Sequence, residues 1–428
     1  MLSFIHLSDI HFRRYSGDLY DIDNDLRAEL IHDISHRLLK QIPSIDGILI
    51  CGDIAFSGQE DEYSAASTFL EEICDTLTLD KKRIFCVPGN HDIDQNITRS
   101  SFSVKALQQT LEQADNLAVF DDNLAKIFRN AQDSEILYSP LMCYNEKFAA
   151  QYGCSLAPDK VMWMQEIEFD FGYKLCIVGI NSTIISNHED HRDDKTERLM
   201  RIGDMQIPSR KDNTIFLSLC HHPPECWNDP EQKLSKKISK RIAIQLYGHK
   251  HMQVLENVDN TIIVRSGATH PSRFEDGWIP RYNWISIEVN RLDGKDTLKV
   301  KIYPRVLSED ESSFEPDYNI LNGKEHLEFS IDLSTDDTVG RSTIKDSILA
   351  EDPPVLSVSS WERKFIYDFM NLPFIKRDLI LKKFLLGKPE DEGMRHIELL
   401  DKFITRAKEK KCVAQLIAEI EKEKVRYE

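Results

Sequence analysis

No stretch of the chain approaches the roughly 20 apolar residues needed to cross a bilayer, so the sequence predicts no transmembrane helix and no membrane partner. Glycine and proline are sparse, 17 and 16 in 428 residues, which excludes a collagenous or wholly disordered chain. The nine cysteines form no CxxC pair, and their odd number disfavours both a disulfide framework and a thiolate zinc site. Four of them, Cys51, Cys86, Cys176 and Cys220, sit inside apolar runs and read as reduced, buried small hydrophobes, which points to the cytoplasm. Basic residues are in deficit, 54 against 72 acidic, and the net charge of −18 weighs against tight nonspecific binding of duplex DNA. The first residues, MLSFIHLSDIHF, lack a basic segment and a small-residue cleavage site, so they read as mature protein.

What is present divides into a body and a tail. Residues 356–428 carry a net charge of +3 and leave −21 on the rest. Residues 307–355 are acidic, Ser/Thr-rich and interrupted by proline, the composition of an irregular connection, with HLEFSIDL at 326–333 a candidate edge strand. The boundaries expected are a body over 1–335 with a helical insertion at about 98–160, a linker over 336–355 and a helical domain over 356–428. In the tail, apolar residues recur at helical spacing, for example Ile397, Leu400, Ile404 and Ala407, then Val413, Leu416, Ile417 and Ile420. A small all-α domain that docks a protein partner or a second copy is one reading of it.

In the body, near-continuous apolar runs recur between polar helical stretches: SFIHLSD, GILICGD, RIFCVPGN, KLCIVGIN, TIFLSLCHH, IAIQLYGHK and TIIVRSGAT. Such runs suit strands covered on both faces, so the body reads as a layered α/β fold. A polar side chain follows each strand on the next turn, and in such sheets these turns gather at the carboxyl edge, where ligands bind. The turns carry Asp9 and His11, Asp53, Asn90 with His91 and Asp92, His221 with His222, and His249 with His251. Two divalent metals held about 3.5–4 Å apart repel, so a carboxylate must bridge them, and Asp53 is the natural bridge. A nitrogen and oxygen donor set without thiolate suits manganese, iron or zinc. The basic cluster Lys233, Lys236, Lys237, Lys240 and Arg241 reads as a solvated helix face, and Met162, Trp163 and Met164 as strand and core packing.

The unbroken series DxH, GD, GNHD, H and GHxH resembles the calcineurin-like metallophosphoesterases over residues 1 to about 305. GDIAFSGQEDEY, HHPP and RSGAT are most similar to their cyclic-nucleotide phosphodiesterase-like branch. The resemblance implies a metallophosphoesterase β-sandwich flanked by helices and two divalent metal ions. Asp9, His11 and His251 would bind the first ion, Asn90, His221 and His249 the second, and Asp53 both. At HHPP either histidine could face the metals, and family usage favours His221 over His222. His91 would stand beside the phosphate and assist the leaving oxygen, with Asp92 orienting its ring. The reaction implied is in-line attack of a metal-bridging hydroxide on a phosphodiester of a nucleotide, a cyclic nucleotide or a short nucleic acid. Two other functions are open: a manganese-dependent nuclease of DNA or RNA, such as an effector in bacterial defence, and a non-catalytic scaffold. The tail looks like the small death-like, effector-associated helical domains of bacterial conflict proteins.

Overall fold

The computed structural model describes residues 1–333 apart from 15, 17–20, 22, 191–197 and 272–278. Beyond these it describes 369, 380, 383, 384, 386, 396–410 and 413–425. The linker expected over 336–355, the first part of the helical tail and Cys412 lie outside the described residues. The chain forms two compact units, Met1–Ser342 and Thr343–Glu428.

In the first unit the apolar runs become strands. β1 (Leu2–Leu7), β2 (Gly47–Ile50) and β3 (Ile84–Cys86) lie side by side and parallel, and every residue in them is buried. A second, six-stranded sheet contains β4 (Met162–Glu168), β5 (Lys174–Ile180), β6 (Thr214–Cys220), β7 (Ile244–Tyr247), β8 (Gln253–Val258) and β9 (Thr261–Ser266). Its order is β4-β5-β6-β7-β9-β8, with the inner four strands parallel and the two edges antiparallel. The chain then returns to the first sheet as β10 (Arg281–Leu292), antiparallel to β1, and turns back as β11 (Lys295–Leu307). β12 (Phe314–Pro316) and β13 (Leu327–Asp332) share the outer edge of β11, so the HLEFSIDL segment forms the edge strand its pattern suggested. The architecture is mixed α/β with two sheets, as expected, with antiparallel strands at both edges of the second sheet and on the β10 side of the first.

One core joins the sheets. It contains Leu7, Ile50 and Phe85 of the first and Trp163, Ile177 and Leu246 of the second. Burying each such aliphatic side chain contributes about 1.5–3 kcal/mol. The indole N–H of Trp163 donates to the Cys86 carbonyl at 3.0 Å, which ties β4 to the end of β3. A separate cluster brings Cys176, Val178 and Phe216 of the second sheet together with Leu234 and Ile238 of a helix over Lys233–Ser239. Coverage on both faces explains why β5, β6 and β7 lack the alternation of a half-exposed sheet.

Helices complete the layers. α1 (Asn24–Asp33) places Asp33 in the core, where its carboxylate accepts from Arg305 Nε at 2.9 Å and from the Tyr282 hydroxyl at 2.5 Å, joining the helix to β10 and β11. α2 (Glu60–Leu77) starts at a capping box in which Gln59 and Glu62 satisfy each other's backbone N–H groups. Its buried Tyr63, Ala66, Phe69, Leu70, Ile73 and Cys74 repeat every three or four residues, so one face meets the sheet. The expected helical insertion includes α3 (Gln95–Ser100), α4 (Phe102–Glu112), α5 (Leu117–Arg129) and α6 (Ala131–Tyr138). Leu111, Phe120, Leu124 and Ile127 of these helices pack with Ile184, Ile185 and Met200 of the body. In the second unit, α7 (His396–Glu409) and α8 (Val413–Val425) bring Phe403, Ile404 and Ala407 together with Leu416 and Ile420. Among the described residues no helix is long and apolar enough to cross a membrane.

Candidate metal centre

The turns after β1 and β2 run together beyond the sheet. Backbone N–H groups of Ile10 and His11 both donate to the Asp53 carbonyl, at 2.8 and 2.9 Å, and Phe12 donates to the Ile54 carbonyl at 2.8 Å. The turns are tight enough to force unusual backbone: Asp9, His11, Asp53, His249 and His251 all have φ between 51° and 70°. Left-handed conformations cost non-glycine residues about 1–3 kcal/mol each, and five of them coincide with expected metal ligands. Gly89 is required for a different reason, close approach, because a Cβ there would overlap the Asp53 carboxylate.

The expected ligands meet. Asp53 Oδ2 lies 3.3 Å from the Nε2 atoms of both His11 and His221. Asp53 Oδ1 accepts the backbone N–H of His91 at 2.8 Å. Asn90 Oδ1 lies 2.9 Å from His221 Nε2 and 3.1 Å from His249 Nδ1. Asp9 Oδ1 stands 3.4 Å from His251 Nε2, and Asp9 also accepts the backbone N–H of His249. Thus Asp9, His11, Asp53, Asn90, His221, His249 and His251 form one connected cluster, and all but His249 and His251 are buried.

Ring orientation is fixed from behind. His221 Nδ1 donates to the Cys51 carbonyl at 2.8 Å, which leaves Nε2 as the free donor atom facing Asn90 and Asp53. At HHPP, His221 is therefore the member that meets both of these side chains. His222 lies against His249, ring centroids 4.4 Å apart, with Nδ1 2.8 Å from the Ser182 hydroxyl and a buried Nε2 that lacks a hydrogen-bond partner. His91 is partly exposed, its ring centroid 4.7 Å from that of His11.

The expected role of Asp92 is corrected by the structure. The His91 Nδ1–H donates to the Phe56 carbonyl at 2.8 Å, so Phe56 orients the ring. The buried Asp92 carboxylate instead accepts N–H groups of Ile54, Ala55 and Gly89 and the Tyr63 hydroxyl, at 2.8–3.2 Å. It clamps the GD turn to the GNHD turn and to α2. Sequence adjacency suggested a His–Asp pair, but the 3-10 turn over Asn90–Asp92 sends the two side chains in different directions.

Charge in the cluster is strongly coupled. Burial works to raise the Asp53 carboxyl, but His221, His91 and His11 outweigh it and hold it well below the usual range. For Asp9 burial is likewise outweighed, chiefly by His251. Burial lowers His221, yet Asp53 and Asp9 carry it up to about 9. Asp92 is raised to about 7, by burial first and then by Asp53. Burial and the neighbouring His249 and His221 push His222 well down, so its ring is neutral.

Donor chemistry fits divalent transition metals. Three-member groups of ligand atoms within 4.8 Å of one another are Asp9–His11–His251, Asp9–Asp53–His221, His11–Asp53–His91 and His221–His222–His249. All donors are imidazole nitrogens or carboxylate oxygens, with the Asn90 amide oxygen beside them, a set suited to manganese, iron or zinc.

Several supporting residues escaped sequence reasoning. Ser8 Oγ donates to Asp9 Oδ2 at 2.5 Å, Tyr63 holds Asp92, and His270 accepts His11 Nδ1 through its carbonyl at 3.4 Å. Tyr63 lies within the GDIAFSGQEDEY segment, but nothing in its spacing announces a contact 29 residues away. Lys233, Lys236 and Lys237 lie exposed on their helix, which ends at Ser239, before Lys240 and the half-buried Arg241, and Trp163 is core. Met164, however, is exposed.

A family model described as calcineurin-like phosphoesterase matches residues 2–253. The Bacillus subtilis (strain 168) protein YydB, described as an uncharacterized metallophosphoesterase-like protein, is 24% identical over 306 residues. That alignment covers 69% of this chain and 58% of the relative, so the chain spans less than two thirds of that protein's length. Among solved structures, zinc-complexed Vps29 from Entamoeba histolytica aligns at 12% identity and TM-score 0.31, covering 77% of this chain and 99% of that one. An archaeal phosphodiesterase aligns at 12% identity and TM-score 0.26, covering 73% and 98%. With the matched segment spanning more than half of the sequence and containing all seven clustered side chains, the chain belongs to the calcineurin-like phosphoesterase family.

Proposed function

We propose that the chain hydrolyses phosphodiester bonds, of a nucleotide or cyclic nucleotide, with two divalent transition-metal ions, manganese, iron or zinc. Asp9, His11 and His251 hold one, Asn90, His221 and His249 the other, and Asp53 is shared. The observation that carries this reading is Asp53 Oδ2 standing 3.3 Å from ligand nitrogens of both sets, His11 and His221. Bound there, such ions supply a water of lowered pKa and neutralise charge on the phosphoryl group.

The chain's own residues do the rest. Carbonyls of Cys51 and His270 fix the His221 and His11 rings, so little reorganisation is needed when ions enter. His91, held through Nδ1, presents Nε2 to the leaving oxygen and acts as its proton donor. Asp92 keeps the Asp53 and Asn90 turns in register and touches no reacting atom.

We assign the catalytic domain to residues 1–335, with its insertion at 98–160, and an interaction module to 356–428. Free cysteines throughout the described residues support a reducing, cytoplasmic setting. The test is a screen of manganese, iron, zinc and nickel against bis(p-nitrophenyl) phosphate, cyclic nucleotides and DNA. Turnover of the small diesters is expected; cleavage of DNA alone would move the assignment to a nuclease, and no turnover with any metal would remove the enzyme reading.

A further inference from the structure

We propose that Arg13 and Phe56 form a subsite for a second phosphate of the substrate, at the mouth of the metal centre. The inference rests on the phosphodiesterase reading and adds to it a preference for diesters that carry another phosphate beyond the scissile one.

The position follows from the paired turns. Arg13 lies two residues after His11, and Phe56 three after Asp53. The two segments stay zipped beyond the ligands through the Phe12–Ala55 bridge and the Phe56 N–H to Phe12 carbonyl bond at 2.9 Å. Phe56 is 38% exposed beside the ligand-bearing turns. Its ring lies 5.3 Å from that of His91 and 6.4 Å from that of His11, centroid to centroid.

Arg13 covers that ring. Its Cζ sits 4.4 Å from the Phe56 centroid, while the residue as a whole is exposed. Among the described residues no carboxylate pairs with this guanidinium, although the chain has 72 acidic side chains for 54 basic ones; the neighbouring Arg14 does pair, with Asp61 at 3.5 Å. Stacking fixes the plane of a guanidinium without using its N–H donors, which remain to grip an anion in bidentate fashion. An unpaired, preoriented cation one ring away from His91 suits a substrate phosphate adjacent to the one undergoing attack. A mononucleotide cyclic diester has no such group.

The test compares the thymidine dinucleotide TpT with pTpT and TpTp, which add one terminal phosphate at either end. Binding to the manganese-loaded full chain is measured by calorimetry with cleavage-resistant phosphorothioate linkages, and hydrolysis with the natural linkages. At least one terminally phosphorylated form should bind about tenfold or more tighter than TpT, Arg13→Ala should shrink that gap below about twofold, and Arg13→Lys should restore only part of it. Equal affinity of the wild type for all three compounds, or a full gap retained in Arg13→Ala, overturns the subsite. Arg13-dependent binding without cleavage would leave the subsite standing and remove the hydrolase reading, so the two failures are distinct.

Discussion

Asp53 and His91 are 38 positions apart and joined by one hydrogen bond, yet their substitutions should have different consequences. Asp53→Ala deletes an oxygen equidistant from two imidazoles, so metal content and turnover should fall together. His91→Ala should leave metal content nearly intact and lower kcat by roughly 10²–10⁴-fold, the usual contribution of a general acid. Metal analysis beside steady-state kinetics checks both, and equal metal loss in the two variants would contradict the assignment. Deeper in the core, His6 contacts Cys51 Sγ at 3.3 Å and is lowered by burial to about 3. Below an unfolded-state pKa of about 6.5 the unfolded chain takes a proton that the folded chain refuses until about pH 3, so stability is lost as pH falls through this window. Relative to His6→Gln, the wild type should lose about 1.4 kcal/mol per pH unit between roughly pH 6 and 4, measured by urea titration. At this scale the ligand types were legible because metal chemistry restricts them to a few residues on strand-end turns. The role of Asp92 was not, since an adjacent pair reveals nothing of where a 3-10 turn directs each side chain.

Among the elements, the joint between α1 and the β10–β11 hairpin rests on a buried ion pair. Asp33 and Arg305 are 1% and 3% exposed, and Arg305 also lies 4.4 Å from the Trp284 ring. Asp33→Ala should cost about 3–5 kcal/mol because it strands a buried guanidinium, whereas adding Arg305→Met should recover much of the loss. Chemical denaturation of the three proteins measures this; equal stability of the single and double variants would contradict it. β1, β2, β3, β5, β6, β7 and β9 were readable as apolar runs, since burial on two faces removes any need for polar alternation, whereas the more exposed β4 and β8 of the second sheet were not among them. The hairpin itself was missed. Its turn places Asp293 and Gly294 at φ 51° and 77°, the Asp-Gly signal of a tight hairpin, and Leu298, Val300 and Ile302 alternate with half-buried Lys299 and Lys301. That period-two pattern belongs to a strand with one covered face, flanked by β10 and by β12 and β13, and does not stand out as a wholly apolar run.

For the molecule as a whole, the seven clustered side chains and the joint core of the two sheets all belong to the Met1–Ser342 unit, while Phe403, Ile404, Leu416 and Ile420 form a core of their own. A protein ending at residue 342 should therefore fold and keep diester turnover within about twofold of the full chain, as judged by kcat/KM and thermal unfolding; loss of folding would make the tail a structural part of the body. The facing of two sheets across one core was legible only through the family resemblance, which implies a β-sandwich, because each strand's own sequence states that it is covered and not by what. Anomalous scattering from crystals soaked in manganese bears most directly on the proposed centre. Two peaks should flank the Asp53 carboxylate, one beside Asp9, His11 and His251 and the other beside Asn90, His221 and His249. A single peak, or peaks away from Asp53, would contradict it.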